Sequence, residues 1–194
     1  MPSEFTVIRD TTPDSAILKG AVVAMGNFDG VHLGHRAVIG AALRMGRAHG
    51  RAAFAVTFEP HPRSFFSPNS PQFRLTTEAN KLRLLAGTGL AGAVVMTFDK
   101  VRAGTTAQDF IHYDLIQRLG ISGIAVGYDF HFGKGRQGGP AFLMESGEQH
   151  GFGVTLVDAF RDEGAHVISS SRIRELLAAG DIAEANGLLG YRFT

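Results

Sequence analysis

Residues 26–35 read Gly-Asn-Phe-Asp-Gly-Val-His-Leu-Gly-His and join two recognisable patterns. Before them lies an apolar run, residues 21–25, that is typical of a buried strand. After them, residues 36–49 carry apolar side chains at helical spacing. The first amide N–H groups of a helix have no intrahelical partner, and the helix dipole favours anions at that end. A strand, a glycine-rich turn and a helix start therefore predict a phosphate-binding site.

Two histidines, His32 and His35, add side-chain donors to this turn. Such donors can stabilise the charge that develops on phosphorus during group transfer. Gly30 would permit a tight turn, and Gly34 would permit close approach of a neighbouring group. A pair of histidines near a helix start can also be an ordinary surface feature. The preceding strand and glycine turn favour the functional interpretation.

Composition excludes several classes of protein. The 194 residues are 44% hydrophobic and 19% charged, which is typical of one globular domain. A formal net charge of +1, without a basic patch, argues against nucleic-acid binding. We find no apolar run long enough to cross a membrane and no signal-peptide pattern, so we expect a cytoplasmic protein. The absence of cysteine excludes disulfides and thiolate metal sites.

Apolar segments alternate with helical patterns along the whole chain. We predict strands at 21–25, 52–58, 93–97, 121–126 and 154–157, and helices at 36–49, 76–86, 106–119, 140–150 and 181–189. Residues 168–174 open a further predicted helix that ends near Gly180. This alternation is typical of βαβ units, so we expect a mostly parallel sheet with helices on both faces. Residues 59–73 and 127–139 are expected to form long irregular loops. In such folds ligands bind beyond the carboxyl ends of the strands.

A second phosphate-binding pattern lies near the end of the chain. Ser169, Ser170 and Ser171 precede a predicted helix, and Arg174 follows one turn later. Each serine alone could simply be a helix N-cap. Together, the hydroxyls, the helix amides and the arginine are well suited to bind phosphate.

Two further segments leave predicted strands. In residues 127–136 aromatic side chains alternate with polar ones, and this pattern fits either a half-buried strand end or a site for a planar ligand. Gly133, Gly135 and Gly138 match the spacing of a dinucleotide-binding fingerprint, but they do not directly follow their strand. Residues 57–62 place Glu59 and His61 among prolines, either as an acid–base pair or as part of a stiffened loop.

Taken together, these segments resemble the FAD synthetase (FMN adenylyltransferase) module of bacterial bifunctional riboflavin kinase/FAD synthetases. Residues 26–35 are similar to the GxFDGxHxGH motif of that family, residues 57–62 to TFEPHP, residues 127–136 to GxDFxFGxxR, and residues 168–174 to ISSTxIR. The matches occur in order along nearly the whole chain. The resemblance implies a Rossmann-like α/β fold of the HxGH nucleotidylyltransferase type, as one domain over residues 1–194.

The resemblance also implies an activity, the transfer of AMP from ATP to FMN with Mg²⁺, giving FAD and pyrophosphate. The implied catalytic residues are His32, His35 and Arg174, and no residue is expected to ligate the metal directly. The implied ATP-binding residues are Gly26, Asn27, Phe28, Gly34, Ser169, Ser170 and Ser171. The implied FMN-binding residues are Pro62, Phe66, Asp129 and Phe132.

The chain departs from the family pattern at two places. Ser171 replaces the usual threonine, and residues 189–193 read Leu-Gly-Tyr-Arg-Phe where the family has LGRPY. A riboflavin kinase module is not present in this sequence, so we expect no riboflavin phosphorylation from it. Two alternatives to the implied activity stay open: a nucleotidylyltransferase for another phosphate acceptor, and a non-catalytic nucleotide or flavin sensor.

Overall fold

Six strands form one parallel sheet in a computed structural model that describes residues 4–10, 18–67, 69 and 73–193. The strands are β1 (Thr6–Arg9), β2 (Val22–Met25), β3 (Ala53–Glu59), β4 (Gly92–Thr97), β5 (Gly123–Gly127) and β6 (Gly153–Val157). Their order across the sheet is β1-β4-β3-β2-β5-β6, and every neighbouring pair is parallel. The parallel sheet expected from the alternating pattern, and the Rossmann-like α/β fold implied by the family resemblance, are therefore confirmed.

Helices connect the strands and follow the last one. They are α1 (Leu33–Ala48), α2 (Pro62–Phe66), α3 (Glu78–Ala86), α4 (Lys100–Gly104), α5 (Ala107–Asp109), α6 (Pro140–His150), α7 (Ser170–Ala179) and α8 (Ile182–Leu189). The chain continues from α5 through π-helical turns over Phe110–Arg118, and a single 3₁₀ turn spans Lys134–Arg136. In the part of the chain that the structure describes, no helix is both long and apolar enough to span a bilayer.

The four central strands, β2 to β5, are buried on both faces. Successive residues of a strand point to opposite sides of the sheet, so each face has its own apolar cluster. Val23 of β2 packs in the cluster that contains Ile111 and Leu143, whereas its neighbour Val22 packs in the cluster that contains Ile39 and Leu85. Helices α1 and α3 thus cover one face, and the π-helical segment and α6 cover the other.

A third apolar cluster fixes α7 and α8 beside the 26–35 turn. It is formed by Leu75, Ile168, Ile173, Ala185, Leu188 and Leu189. Gly30 has a φ of +87°, and a Cβ atom there would lie 2.8 Å from Leu75 Cδ1 and 3.3 Å from Leu189 Cδ2. The turn therefore needs glycine both for its backbone conformation and for this close packing.

The observed elements differ from the predicted ones at several boundaries. β1 was missed because it is an edge strand in which only Ile8 is buried, so it has no apolar run. α1 begins at Leu33, three residues before the predicted start. Residues 59–73 are not irregular throughout, since α2 lies within them, and part of the 127–139 loop forms the 3₁₀ turn.

Candidate active site

The turn after β2 adopts an unusual backbone. Phe28 has a φ of +51° and Val31 a φ of +37°, in the left-handed region that residues other than glycine rarely adopt. Both side chains are fully buried, so surrounding packing maintains this conformation. Strained backbone of this kind concentrates at ligand sites. Phe28 was predicted to line the nucleotide site, but its ring lies in the core with an edge-on contact to His35, so only its backbone faces the turn.

His32 is the N-cap of α1. Its Nδ1 accepts a hydrogen bond from the His35 amide at 3.2 Å, and this cap explains why the helix begins earlier than expected. Since Nδ1 accepts, the proton of the neutral ring is on Nε2, which can donate. Burial lowers the pKa of His32 to about 4, with Asp29 raising it and Arg174 lowering it to a smaller extent. At neutral pH His32 is therefore an uncharged hydrogen-bond donor.

The ring of His35 stacks on that of His32, with centroids 3.6 Å apart. Burial lowers the pKa of His35 well below its usual value, and the charges of His32, Lys81 and His61 lower it further. Its Nδ1 is enclosed and has no hydrogen-bond partner among the described residues. The site thus contains two stacked neutral imidazoles, one of them with an unsatisfied ring nitrogen.

The two predicted phosphate-binding segments meet in the structure. Ser170 Oγ donates to the carbonyl of Asp29 at 2.9 Å. A Cβ atom on Gly34 would lie 3.2 Å from the carbonyl oxygen of Ile168, so glycine lets the start of α1 approach the segment before α7. Ser169 caps α7 by accepting from the Arg172 amide at 3.3 Å, and Ser171 is exposed. Two helix N-termini therefore lie beside one turn.

Arg174 joins these segments to a third part of the chain. Its guanidinium forms an ion pair with Asp29, and its Nε donates to the carbonyl of Phe73 at 2.5 Å. The side chain of Arg174 is mostly buried. Asp29, which lies within the quoted motif, was not predicted to be a site residue. The sequence feature that could have indicated it is that Asp29 is the only acidic residue within the glycine-rich segment 26–35.

The residues predicted to bind flavin have different environments. Pro62 begins α2, and Phe66 at the end of that helix is 65% exposed. Asp129 is exposed in the turn after β5. Phe132, by contrast, is buried against Phe110 at a centroid distance of 5.5 Å, so its ring is part of the core. Of the residues predicted to bind flavin, Phe66 and Asp129 are exposed, Pro62 is half-buried and Phe132 is buried.

A buried cluster behind the turn was missed by sequence reasoning. Lys81 of α3 is 1% exposed, and its Nζ contacts Glu59 at 2.6 Å and the carbonyl of Asn27 at 3.2 Å. Burial lowers the pKa of Lys81. Glu59 also binds Arg74 at 2.6 Å, so it does not act with His61 as the acid–base pair that we considered. The cluster fixes the ends of β2 and β3 relative to each other.

His61 lies at the same end of the sheet. Its Nδ1 caps α2 by accepting from the Arg63 amide at 3.1 Å, which leaves Nε2 protonated in the neutral ring. Burial lowers the pKa of His61 to about 4. The charge of Asp29 raises this pKa to a smaller extent, and the nearby cations lower it. This end of the sheet therefore has three neutral imidazoles beside the Arg174 guanidinium. Such a set can donate hydrogen bonds to the oxygens of a polyphosphate.

Comparison with known proteins agrees with this geometry. The family model described as FAD synthetase matches residues 14–172. The bifunctional riboflavin kinase/FMN adenylyltransferase of Escherichia coli (strain K12) is 39% identical over 175 residues, and that of Pseudomonas fluorescens is 35% identical over the same length. Each alignment covers 90% of this chain and 56% of the relative, so the chain spans just over half of their length.

Solved structures show the same architecture. A macrolide-efflux protein from Streptococcus pneumoniae superposes with a TM-score of 0.81 at 25% identity, covering 98% of this chain and 63% of that one. A pantoate-beta-alanine ligase from Francisella tularensis has a TM-score of 0.55 at 13% identity, covering 95% and 78%, and supports the fold alone. The extent of the family match and the identity to curated relatives show that the chain belongs to the FAD synthetase family.

Proposed function

We propose that this chain transfers AMP from ATP to the phosphate of FMN, forming FAD and pyrophosphate. The observation that carries the proposal is the hydrogen bond from Ser170 to the Asp29 carbonyl, because it joins the two phosphate-binding segments into one site. Family membership supports the choice of FMN as the acceptor. The relatives from Escherichia coli and Pseudomonas fluorescens are named as FMN adenylyltransferases.

In the proposed reaction a phosphate oxygen of FMN attacks the α-phosphorus of ATP. The new P–O bond forms in line with the bond to the β-phosphate oxygen, which breaks and releases pyrophosphate. Nε2 of His32 and a ring nitrogen of His35 donate to phosphate oxygens as negative charge develops. Because both rings are neutral at physiological pH, they act as hydrogen-bond donors and not as cations. Catalysis is mainly positioning and electrostatic stabilisation.

The remaining ATP contacts come from both helix starts. The amides of Asn27, Phe28 and Gly34 line one side of the triphosphate beside Gly26, whose own amide donates to the Val56 carbonyl at 3.1 Å. On the other side are the hydroxyls of Ser169 and Ser171 and the backbone amide of Ser170, whose hydroxyl donates to the Asp29 carbonyl. Arg174 holds the pyrophosphate as it leaves. Arginine suits this role because its planar guanidinium matches phosphate geometry.

The flavin lies on the side of α2 and the 127–139 loop. Phe66 offers an exposed ring for stacking, and its neighbours Phe65 and Phe98 contact it at centroid distances of 5.3 and 5.7 Å. Pro62 and Asp129 border the ring system. Phe132 stacks on Phe130, the residue that follows Asp129, at a centroid distance of 5.6 Å, and it would support this side of the site from the core.

Mg²⁺ enters this proposal with ATP. No group of three or more histidine, aspartate or glutamate side chains could hold a metal ion in the described part of the chain. Mg²⁺ commonly binds through substrate phosphates and water with only one or two protein carboxylates, so a MgATP substrate fits these residues. The ion would neutralise charge on the triphosphate. We place the reaction in the cytoplasm.

Incubation of the protein with MgATP and a flavin, followed by chromatography, tests the proposal. We expect FAD and pyrophosphate with FMN and no product with riboflavin, which lacks the attacking phosphate. No FAD together with undiminished FMN binding would contradict the enzyme and favour a sensor. Product formation with a different phosphorylated acceptor in place of FMN would show another transferase.

A further inference from the structure

Asp29 lies between the two phosphate-binding segments, and its carboxylate is enclosed by donors of the protein itself. Its carboxylate is 3% exposed. One oxygen accepts from the Thr76 amide at 2.9 Å and the Thr76 hydroxyl at 3.1 Å, and the other accepts from the Leu75 amide at 3.2 Å and pairs with Arg174. A buried carboxylate that accepts from this many donors is fixed in position.

The second contact of Arg174 defines the plane of its guanidinium. Nη2 pairs with Asp29 and Nε donates to the Phe73 carbonyl, so two points on the planar group are held. The guanidinium retains further N–H groups for a phosphate. A long arginine side chain otherwise samples many rotamers, and a ligand would have to order it on binding. In this structure Asp29 and the Phe73 carbonyl together hold the guanidinium in one orientation.

Backbone groups of Asp29 and Gly30 also bind the turn to the neighbouring segments. The carbonyl of Asp29 accepts from Ser170, the amide of Gly30 donates to the Thr76 hydroxyl at 3.1 Å, and the carbonyl of Gly30 accepts from Tyr191 at 2.7 Å. His32 follows two residues later in the same turn. A displacement at Asp29 would therefore change the distance between the histidines and Arg174.

We propose that Asp29 is a positioning residue for the reaction, which holds the Arg174 guanidinium ready for the triphosphate and sets it opposite His32 and His35. This role rests on the proposed adenylyl transfer for its effect on turnover, but its effect on nucleotide binding can be measured separately. Asp29 acts through Arg174, so its importance should disappear when that side chain is removed. A merely structural role would make the loss independent of Arg174.

A double-mutant cycle tests this dependence. Asp29→Asn keeps the shape of the side chain and removes its charge. We expect it to weaken binding of a non-hydrolysable ATP analogue by about 10-fold, and to lower kcat/KM for ATP by about 10²-fold, as for other misplaced catalytic groups. In an Arg174→Ala background the same change should weaken binding by less than about 3-fold. An equal loss in both backgrounds would overturn the proposal, as would wild-type affinity in Asp29→Asn.

Asp162→Asn is the matched control. It removes an ion pair, at 2.6 Å, between Asp162 and Arg172, and Arg172 lies in α7 like Arg174. We expect wild-type nucleotide affinity in this variant, and a loss as large as that of Asp29→Asn would overturn the proposal. If Asp29→Asn does not fold, Arg174→Lys keeps the positive charge but cannot make both contacts. That variant should bind the analogue about 10-fold more weakly, and wild-type affinity would again overturn the proposal.

The outcomes separate this inference from the proposed function. If the wild-type protein forms no FAD and nucleotide binding still shows the coupling between Asp29 and Arg174, the proposed reaction fails and the positioning role stands. If FAD forms normally and the coupling is absent from both binding and kcat/KM, the reaction stands and the positioning role fails.

Discussion

The imidazoles of His32 and His35 stack at 3.6 Å, and the backbone amide of the second donates to Nδ1 of the first. One hydrogen bond thus caps α1, sets the tautomer of His32 and places the second ring over it. The helix start is therefore at once a structural cap and a pair of donors. Its two functions can be separated by mutation.

Removal of the second ring should reduce activity without unfolding the protein. His35→Ala leaves the amide that caps α1 intact, and we expect FAD formation to fall by at least about 10²-fold, as for other transition-state donors. His49→Ala, at the opposite and exposed end of the same helix, is the control and should retain full activity. Near-normal turnover in His35→Ala would reject the role of that ring.

Stability should decrease in mild acid because of the buried histidines. The pKa of His32 is about 4 in the folded protein and 6.5 in the unfolded chain. Between these values the unfolded state binds a proton that the folded state does not, so the free energy of unfolding falls as pH decreases. His32→Asn retains a side chain that can cap α1, and it should show a smaller fall between pH 7 and 5. Urea unfolding at both pH values measures this, and equal falls in the two proteins would contradict it.

Tyr191 stands in the segment that departs from the family pattern, and its hydroxyl donates to the Gly30 carbonyl at 2.7 Å. Tyr191→Phe leaves that carbonyl without this donor, so we expect a loss of about 1 kcal/mol in the free energy of unfolding. Tyr113→Phe changes a mostly exposed tyrosine and should have no measurable effect. Indistinguishable urea midpoints for the two variants would show that the hydrogen bond does not contribute.

The buried pair of Lys81 and Glu59 should be sensitive to loss of one partner. Lys81→Met leaves the mostly buried carboxylate with Arg74 alone, and we expect destabilisation of about 3 kcal/mol. The double variant with Glu59→Gln should recover part of this, because the uncompensated charge is removed. Lys100→Met, at an exposed position, serves as the control. A double variant no more stable than Lys81→Met would contradict the explanation.

The sequence predicted the sheet and most helices because apolar runs and helical periodicity are local signals. β1 was missed since an edge strand with one buried residue has no such run. The start of α1 was misplaced because histidine is an uncommon N-cap, so the usual pattern of serine, threonine or aspartate was absent. Boundaries depend on caps, and caps depend on particular side chains.

The site was predictable only in part. His32, His35, Ser170 and Arg174 lie in recognisable segments, and the structure brings them to one end of the sheet. The role of Asp29 depends on donors that are 46 and 145 positions away, which no local pattern reveals. Lys81 lies in a helix with charged neighbours and would be expected to face solvent. Such long-range contacts become visible only when the chain is folded.

The most direct test of the proposed reaction is to follow the α-phosphate and the γ-phosphate of ATP into the products. With FMN present, label in the α-phosphate of ATP should appear in FAD, and label in the γ-phosphate should appear in pyrophosphate, with one FAD formed for each pyrophosphate. The His32→Ala/His35→Ala variant should transfer almost no label. Binding of FMN and ATP without transfer of the α-label to the flavin would contradict adenylyl transfer by this chain.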